Sequence, residues 1–157
     1  MSRPLAHTPT PPPDLTARPL HPHDAPALAS LLLDAYRGTI DDQGEGPDEA
    51  AAEIARLLDG AYGTPNHAAS QLFDRDGVPV SATLITHHDG APLLAFSVTA
   101  PAWQRRGLAR AGLLRAMATL RDQGHTTLRL VVTCGNTPAE ALYASLGFTP
   151  DPPRIPL

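Results

Sequence analysis

Apolar positions along the chain switch between two spacings, and the switches divide it into elements. Leu15, Ala17 and Pro19 alternate with polar neighbours, which predicts a short edge strand, a place where proline is tolerated. Leu28, Leu31, Leu32 and Ala35 then recur at helical spacing, with Asp24 placed as the cap, Pro26 in the first turn and Gly38 as the stop. A second helix is predicted over 47–59, with Ala51, Ile54, Leu57 and Leu58 on its apolar face. Residues 39–46 (TIDDQGEG) form an acidic loop between the two helices, and 62–67 form another loop.

Three strands are expected next, at 70–74, 78–86 and 92–99, the first two joined by Asp76-Gly77, a strong hairpin signal. Residues 108–123 return to the helical period, with Leu113, Met117 and Leu120 on one side and Gly124 just past the end. The stretch 126–133 (TTLRLVVT) is rich in β-branched residues and reads as a central strand. A last helix covers 139–146 and stops at Gly147. The order β-α-α-β-β-β-α-β-α predicts a mixed α/β fold in one domain over 14–157. Residues 1–13 (MSRPLAHTPTPPP) read as a flexible or polyproline-like lead.

Composition removes whole classes of function. The 157 residues are 42% apolar, but no window reaches the roughly 18 consecutive apolar residues of a membrane span. The N-terminus has no apolar run like that of a secretory leader, so a cytoplasmic location is expected. A net charge of −4 argues against a nucleic-acid partner. All twelve basic residues are arginine, a mark of GC-rich coding that suggests a bacterial source. Cys134 is the single cysteine and reads as a small buried residue; no Cys/His spacing suggests a metal.

Two stretches carry candidate chemistry. In the first, Ala100-Pro101-Ala102-Trp103-Gln104-Arg105-Arg106-Gly107-Leu108-Ala109 joins a strand directly to a helix, and Gln104, Gly107 and Ala109 fit Q-x-x-G-x-(G/A). Backbone N–H groups there converge at a helix N-terminus, whose dipole suits a diphosphate. Gly107 lets the backbone approach an anion, and Arg105 and Arg106 add positive charge. The plainer reading is a solvated, arginine-flanked helix start. In the second, Asn136 to Phe148 (NTPAEALYASLGF) shows a T-x-x-E capping box at Thr137 and Glu140, with Pro138 at the first helical position. Tyr143 lies seven residues, or about 10 Å of helical rise, from Asn136. Alone, it could equally be a rim aromatic.

In this order, Q-R-R-G-L-A, then a helix, a strand and N-x-x-A-x-x-L-Y-x-x-L-G-F, the motifs resemble the acetyl-CoA-binding core of the GNAT superfamily of N-acetyltransferases. The resemblance covers roughly residues 15–148 and implies a GNAT-like acyl-CoA N-acyltransferase fold using acetyl-CoA. It implies that the backbone of Ser97, Val98 and Thr99 pairs with the pantetheine arm where two parallel strands splay apart. Gln104, Arg105, Arg106, Gly107, Leu108, Ala109 and Arg110 would hold the pyrophosphate. Asn136 would bond the cofactor arm, and Tyr143 would face its sulfur as general acid.

Two departures from the family pattern stand out. Many relatives carry a glutamate on the strand before the cradle to relieve the amine of its proton, and a primary amine is only about 0.1% neutral at pH 7. Here 93–99 contains no carboxylate or histidine. Asp41, Asp42 and Glu45 in the acidic loop, and His87 and His88, are the substitutes on offer, though each also reads as solvated surface. Second, only nine residues follow Phe148, so the C-terminal strand region is shortened. A second subunit in a homodimer, or the loop at 39–46, is expected to complete the acceptor wall. The functional expectation is acetyl transfer to a small-molecule or peptide amine, the acidic loop favouring a cationic one. The alternative is a non-catalytic acyl-CoA-binding sensor or scaffold.

Overall fold

A computed structural model of the chain describes residues 1–4, 15–39, 42–132 and 135–151. Strands β1 (Ser2–Pro4) and β2 (Thr16–Pro19) precede helices α1 (Ala25–Tyr36) and α2 (Pro47–Leu58). Then come β3 (Thr64–Pro65), β4 (Gln71–Arg75), β5 (Val78–His88) and β6 (Ala91–Thr99), followed by α3 (Leu108–Asp122), β7 (Thr127–Leu130) and α4 (Thr137–Ser145). The expected mixed α/β architecture is the observed one. The strands form a single sheet in the order β1-β7-β6-β5-β4-β2, with β3 beside β5. Every pairing is antiparallel except β6 with β7.

Local chemistry accounts for most boundaries. Asp76 (φ 51) and Gly77 (φ 80) make the left-handed pair that the β4–β5 turn needs. Asp89 (φ 51) and Gly90 (φ 76) do the same between β5 and β6, an equally visible signal not used above. α3 and α4 both close with a Schellman turn. At α3 His125 N–H bonds Leu120 O and Gly124 N–H bonds Arg121 O (3.0 and 2.9 Å); at α4 Phe148 N–H bonds Tyr143 O and Gly147 N–H bonds Ala144 O (both 3.0 Å).

Four expectations need correction. Ser2–Pro4, inside the stretch read as a flexible lead, pairs with β7 (Ser2↔Arg129, Pro4↔Thr127), and the Met1 amino group donates to Leu130 O at 3.0 Å. A long-range partner edge, invisible to composition, overrides the proline content, and Pro4 sits at the strand end where a missing N–H costs least. Thr64–Pro65, expected as loop, pairs with β5 in the same way. On α2 the buried alanine is Ala50, not Ala51, because the positions four and seven before Ile54 and Leu57 share their face. At α4 the cap is Asn136 rather than Thr137: Asn136 Oδ1 accepts from Ala139 N–H at 3.4 Å, so Pro138 falls one position further in. Residues 5–13 of the lead, Asp41, Cys134 and residues 152–157 lie outside the described residues.

Helices cover both faces of the sheet. Leu28, Leu31 and Leu32 of α1, and Ile54 and Leu57 of α2, pack with Leu72, Leu84 and Val98. On the other face Leu113, Met117 and Leu120 of α3, with Tyr143 and Leu146 at α4, pack on Ile85, Leu94, Leu128 and Leu130.

What positions a site is an irregularity in β6. Its register against β5 runs Leu84↔Phe96 and then Ile85↔Leu94, leaving Ala95 as an extra, bulged residue. The parallel pairing of β6 with β7 ends at the same place, after Leu94↔Leu130. β6 continues to Thr99 while β7 stops at Leu130. The edge of β6 beyond the bulge therefore faces a gap.

Candidate active site

A cleft of about 1240 Å³ occupies that gap and extends to both faces of the sheet. Its floor is Leu94–Thr99 and Val131–Val132; α1, α2 and the loop between them wall one side, α3 and α4 the other.

The loop entering α3 forms one end. A 3-10 turn at Pro101–Trp103 carries β6 into it, and Gln104 Nε2 ties it back to Thr99 O at 3.3 Å. Arg105 (φ 63) and Gly107 (φ 77) both adopt the left-handed conformation, so the chain curls around the helix start. Arg105 pays the steric cost of that conformation that glycine escapes. A Cβ on Gly107 would meet nothing within 4 Å, which leaves the space beside it open. The first helical bond runs from Ala111 N–H to Gly107 O (3.0 Å), so the amides of Leu108, Ala109 and Arg110 precede the ladder. Among the described residues no protein carbonyl accepts from them. That is a donor set made for an anion.

α4 lies alongside. Arg110 Nη1 reaches Ser145 Oγ at 3.3 Å and links it to α3. Tyr143 is 8% exposed and faces the cleft, its ring edge-on to Phe148 at 5.8 Å between centroids. The Schellman turn makes this contact, since Phe148 and Tyr143 are its two hydrophobic partners. The motif's final G-F thus steers the tyrosine as well as ending the helix.

The structure brings together nearly all the residues that the two motifs nominated. Ser97, Val98, Thr99, Gln104, Arg105, Gly107, Leu108, Ala109, Arg110, Asn136 and Tyr143 all line the one cleft. Arg106 is not among them: its guanidinium stacks over Trp103 at 4.6 Å, with Arg75 also against that ring at 5.1 Å. The Thr99 hydroxyl is engaged by Ser81 at 2.9 Å, so β6 offers main chain there. Among the described residues no group of three or more His, Cys, Asp or Glu side chains could hold a metal, and no helix is long and apolar enough to cross a membrane.

The opposite end is acidic. Asp42 and Glu45 line the cleft as nominated, joined by Glu49 and Glu53 of α2, which the sequence reading missed. Asp42 accepts from Gly38 N–H (2.7 Å) and Gly44 N–H (2.9 Å), and these two bonds hold its carboxyl below the usual range. Glu53 accepts a hydrogen bond from the Tyr62 hydroxyl, whose pKa that bond raises. Helical spacing links Glu49 and Glu53 to each other, but nothing local links either to the cradle some 50 residues later. His87 and His88 lie elsewhere. His87 sits at the far end of β5, bonded to Asn66 Nδ2 at 2.9 Å and 4.9 Å from the His125 ring.

Against known proteins, residues 27–148 match the Acetyltransferase (GNAT) family. The chain belongs to that family. No curated protein matches this GNAT chain at a significant level. Among solved structures it is similar to the ribosomal-protein-S18-alanine N-acetyltransferase of Escherichia coli (TM-score 0.65, 24% identity, covering 86% of this chain and 77% of that one). It is also similar to the aminoglycoside N-acetyltransferase AAC(6')-Iy bound to the bisubstrate analogue CoA-S-monomethyl-acetylneamine (TM-score 0.63, 15% identity, 91% and 96%). A third likeness is to a Pyrococcus horikoshii protein (TM-score 0.70, 17% identity), of which this GNAT chain covers 93% of itself but 47% of the other. At these identities the likeness is one of fold.

Proposed function

We propose that the chain is an N-acetyltransferase that carries acetyl from acetyl-CoA to an amine, with Tyr143 as general acid. The observation that carries this reading is the single cleft joining the anion cradle, the open edge of β6 and Tyr143. Bound there, acetyl-CoA supplies an acetyl group activated as a thioester. The curled segment Arg105–Gly107 and the amides of Leu108, Ala109 and Arg110, with the guanidinia of Arg105 and Arg110, would hold the pyrophosphate. The main chain of Ser97 to Thr99 would pair with the extended arm, and Asn136 would reach the arm through Nδ2. Arg106, stacked on Trp103, would contribute charge at the rim.

An amide of β6 near Ser97 would donate to the carbonyl oxygen as negative charge grows on it. As the amine nitrogen bonds the carbonyl carbon and the carbon–sulfur bond breaks, the Tyr143 hydroxyl would give its proton to the departing sulfur, and the proton shed by the nitrogen would return to the phenolate through water. A phenol near pKa 10 and a thiol near 8.5 are matched closely enough for that transfer. Asp42 and Glu45 in the cleft support a wall completed within one chain rather than by a second subunit. The E. coli and aminoglycoside enzymes act on amines, which supports an amine acceptor here.

Thermal unfolding with acetyl-CoA tests the first half: ligand at 100 times its dissociation constant adds about 2.7 kcal/mol. Turnover tests the second. Tyr143→Phe should lose about 10²-fold or more in kcat with cofactor affinity kept. Binding without CoA release from any amine would favour a sensor or scaffold instead.

A further inference from the structure

We propose that Glu53 is the side chain that holds the acceptor's cationic nitrogen, and that Tyr62 is the residue that positions it. The inference rests on the acetyltransferase reading above and names the class of acceptor, an amine that binds as its ammonium and gives up that proton to water before its nitrogen attacks the thioester.

The argument begins with an absence in sequence. The strand Ala91–Thr99 contains no acidic or basic side chain, so a charge partner for the acceptor must come from across the cleft. Four carboxylates line that side: Asp42, Glu45, Glu49 and Glu53. The first three serve their own loop. Asp42 binds the amides of Gly38 and Gly44, Glu45 binds that of Gln43 at 3.0 Å, and Glu49 binds that of Gly46 at 2.9 Å. These bonds shape the turn into α2 and are all exposed.

Glu53 is held differently. One oxygen accepts from the Tyr62 hydroxyl; the other receives Arg56 Nη1 at 3.3 Å. The Tyr62 ring meets Phe96 edge-on, 5.7 Å between centroids at 85°, and Phe96 is the first residue of β6 beyond the bulge. Through that ring the carboxylate is braced against the strand that opens, on the face opposite Tyr143. Its side chain is 27% exposed, so it is half-withdrawn from water yet reachable from the cleft.

A carboxylate offers about four acceptor positions, and two are in use. One of the two is taken by Arg56, whose guanidinium lies 5.9 Å from the Tyr62 ring centroid; its side chain is 63% exposed and the pair spans one helical turn, a geometry that holds weakly. Phe96, in edge contact with Tyr62, lines the same cleft as Glu53. A cleft that offers both a carboxylate and an aromatic ring is an environment that an ammonium ion fills better than a neutral amine. Arg37 and Arg56 line the acidic side too, so its four carboxylates leave a net negative charge, while the other end carries Arg105 and Arg110. The cleft is charged oppositely at its two ends, as a polyanionic cofactor and a cationic acceptor would require.

The test uses the full chain with acetyl-CoA and four acceptors: spermidine, kanamycin and a short peptide with a free α-amine, each cationic, and 4-aminobenzoate, which carries no ammonium at pH 7.5. Turnover should be confined to the cationic acceptors. Glu53→Gln should raise their KM by about tenfold to a hundredfold, the scale of a lost charge-assisted bond, with kcat largely kept. Glu53→Asp should fall between Glu53→Gln and wild type, and Tyr62→Phe should raise KM less than Glu53→Gln does. Acetyl-CoA affinity, measured on each variant, should be unchanged, which also shows that the variant folds. The inference is overturned by an unchanged KM in Glu53→Gln or by preference for 4-aminobenzoate. Failure of the wild type to bind acetyl-CoA, or binding of it without turnover of any of the four, is a separate result: it removes the underlying reading and the inference with it. Should Glu53→Gln not fold, Tyr62→Phe decides, since an unchanged KM there overturns the positioning on which the role of Glu53 depends.

Discussion

Gly112 is where α3 comes down on the sheet, and two opposed effects there can be weighed against each other. A glycine inside a helix costs about 1 kcal/mol relative to alanine, so propensity alone predicts that Gly112→Ala stabilises. The packing predicts the reverse. A Cβ at this position would lie 2.5 Å from Thr83 Oγ1 and 3.4 Å from Phe73 Cε2. Thr83 and Phe73 are each 1% exposed, so neither can swing into solvent. The helix must lift or the threonine must rotate against its neighbours. Overpacking of this kind costs about 1–3 kcal/mol. Setting the propensity gain against it leaves a net loss of about 1 kcal/mol, or roughly 3 °C in Tm for a domain of this size.

Urea denaturation of four proteins checks the reasoning: wild type, Gly112→Ala, Thr83→Ala and the double variant. Thr83→Ala removes the atom that the new Cβ would strike. In that background Gly112→Ala should stabilise by up to about 1 kcal/mol, a reversal of sign that only a direct clash explains. Because α3 carries the anion cradle at its N-terminus, the single variant should also bind acetyl-CoA more weakly. Stabilisation by Gly112→Ala in the wild-type background, or equal effects in both backgrounds, would refute the close-approach argument.

Two further outcomes concern the charged groups away from the cleft. Arg18 joins β2 to the start of α1 and to β4, reaching Asp24 at 2.7 Å and Asp74 at 2.5 Å. Arg18→Met leaves two buried carboxylates without a cation and should cost about 3 kcal/mol in urea unfolding. Acidification should act in two separate windows. Burial, and secondarily His125, lowers the pKa of His87, so the unfolded chain takes up a proton first. Stability is therefore complete above about pH 6.5 and declines as pH falls below it, and His87→Gln should flatten that limb. Arg18 lowers the pKa of Asp24, so its contribution is present above the ordinary value of 3.8 and is lost only as pH falls below that.

How much of this could be read beforehand depended on how local each cause was. The Asp76-Gly77 hairpin, the glycine stops after α3 and α4, and the glycine turn into α3 are all encoded within a few consecutive residues, and each appears where its chemistry puts it. Errors of one position, Ala51 for Ala50 and Thr137 for Asn136, arise because a helical face or a cap is chosen among adjacent candidates by tertiary fit. Arg105 and Arg106 are indistinguishable as letters. What separates them is a left-handed φ of 63° at Arg105 and the indole of Trp103 that draws Arg106 aside. The strand at Ser2–Pro4 was out of reach altogether, since its cause is the edge of β7 more than 120 residues away.

The two ends of the cleft differ in the same way, and the bulge at Ala95 explains how one strand serves both. Before it, Leu94 packs with α3 and α4; after it, Phe96 and Val98 pack with α1 and α2. In regular alternation Leu94, Phe96 and Val98 would share a face. The extra residue shifts the phase, so the strand that presents main chain to the gap also turns an aromatic ring toward Tyr62, the residue that bonds Glu53. It also coincides with the end of pairing to β7. One inserted residue therefore links the opening of the gap to the composition of its acceptor side. The proposed cofactor end draws on backbone amides within a few consecutive residues and is legible as a motif. The proposed acceptor end draws on side chains from α1, α2, β6 and the loops around them, which meet only because the phase of β6 changes where it does.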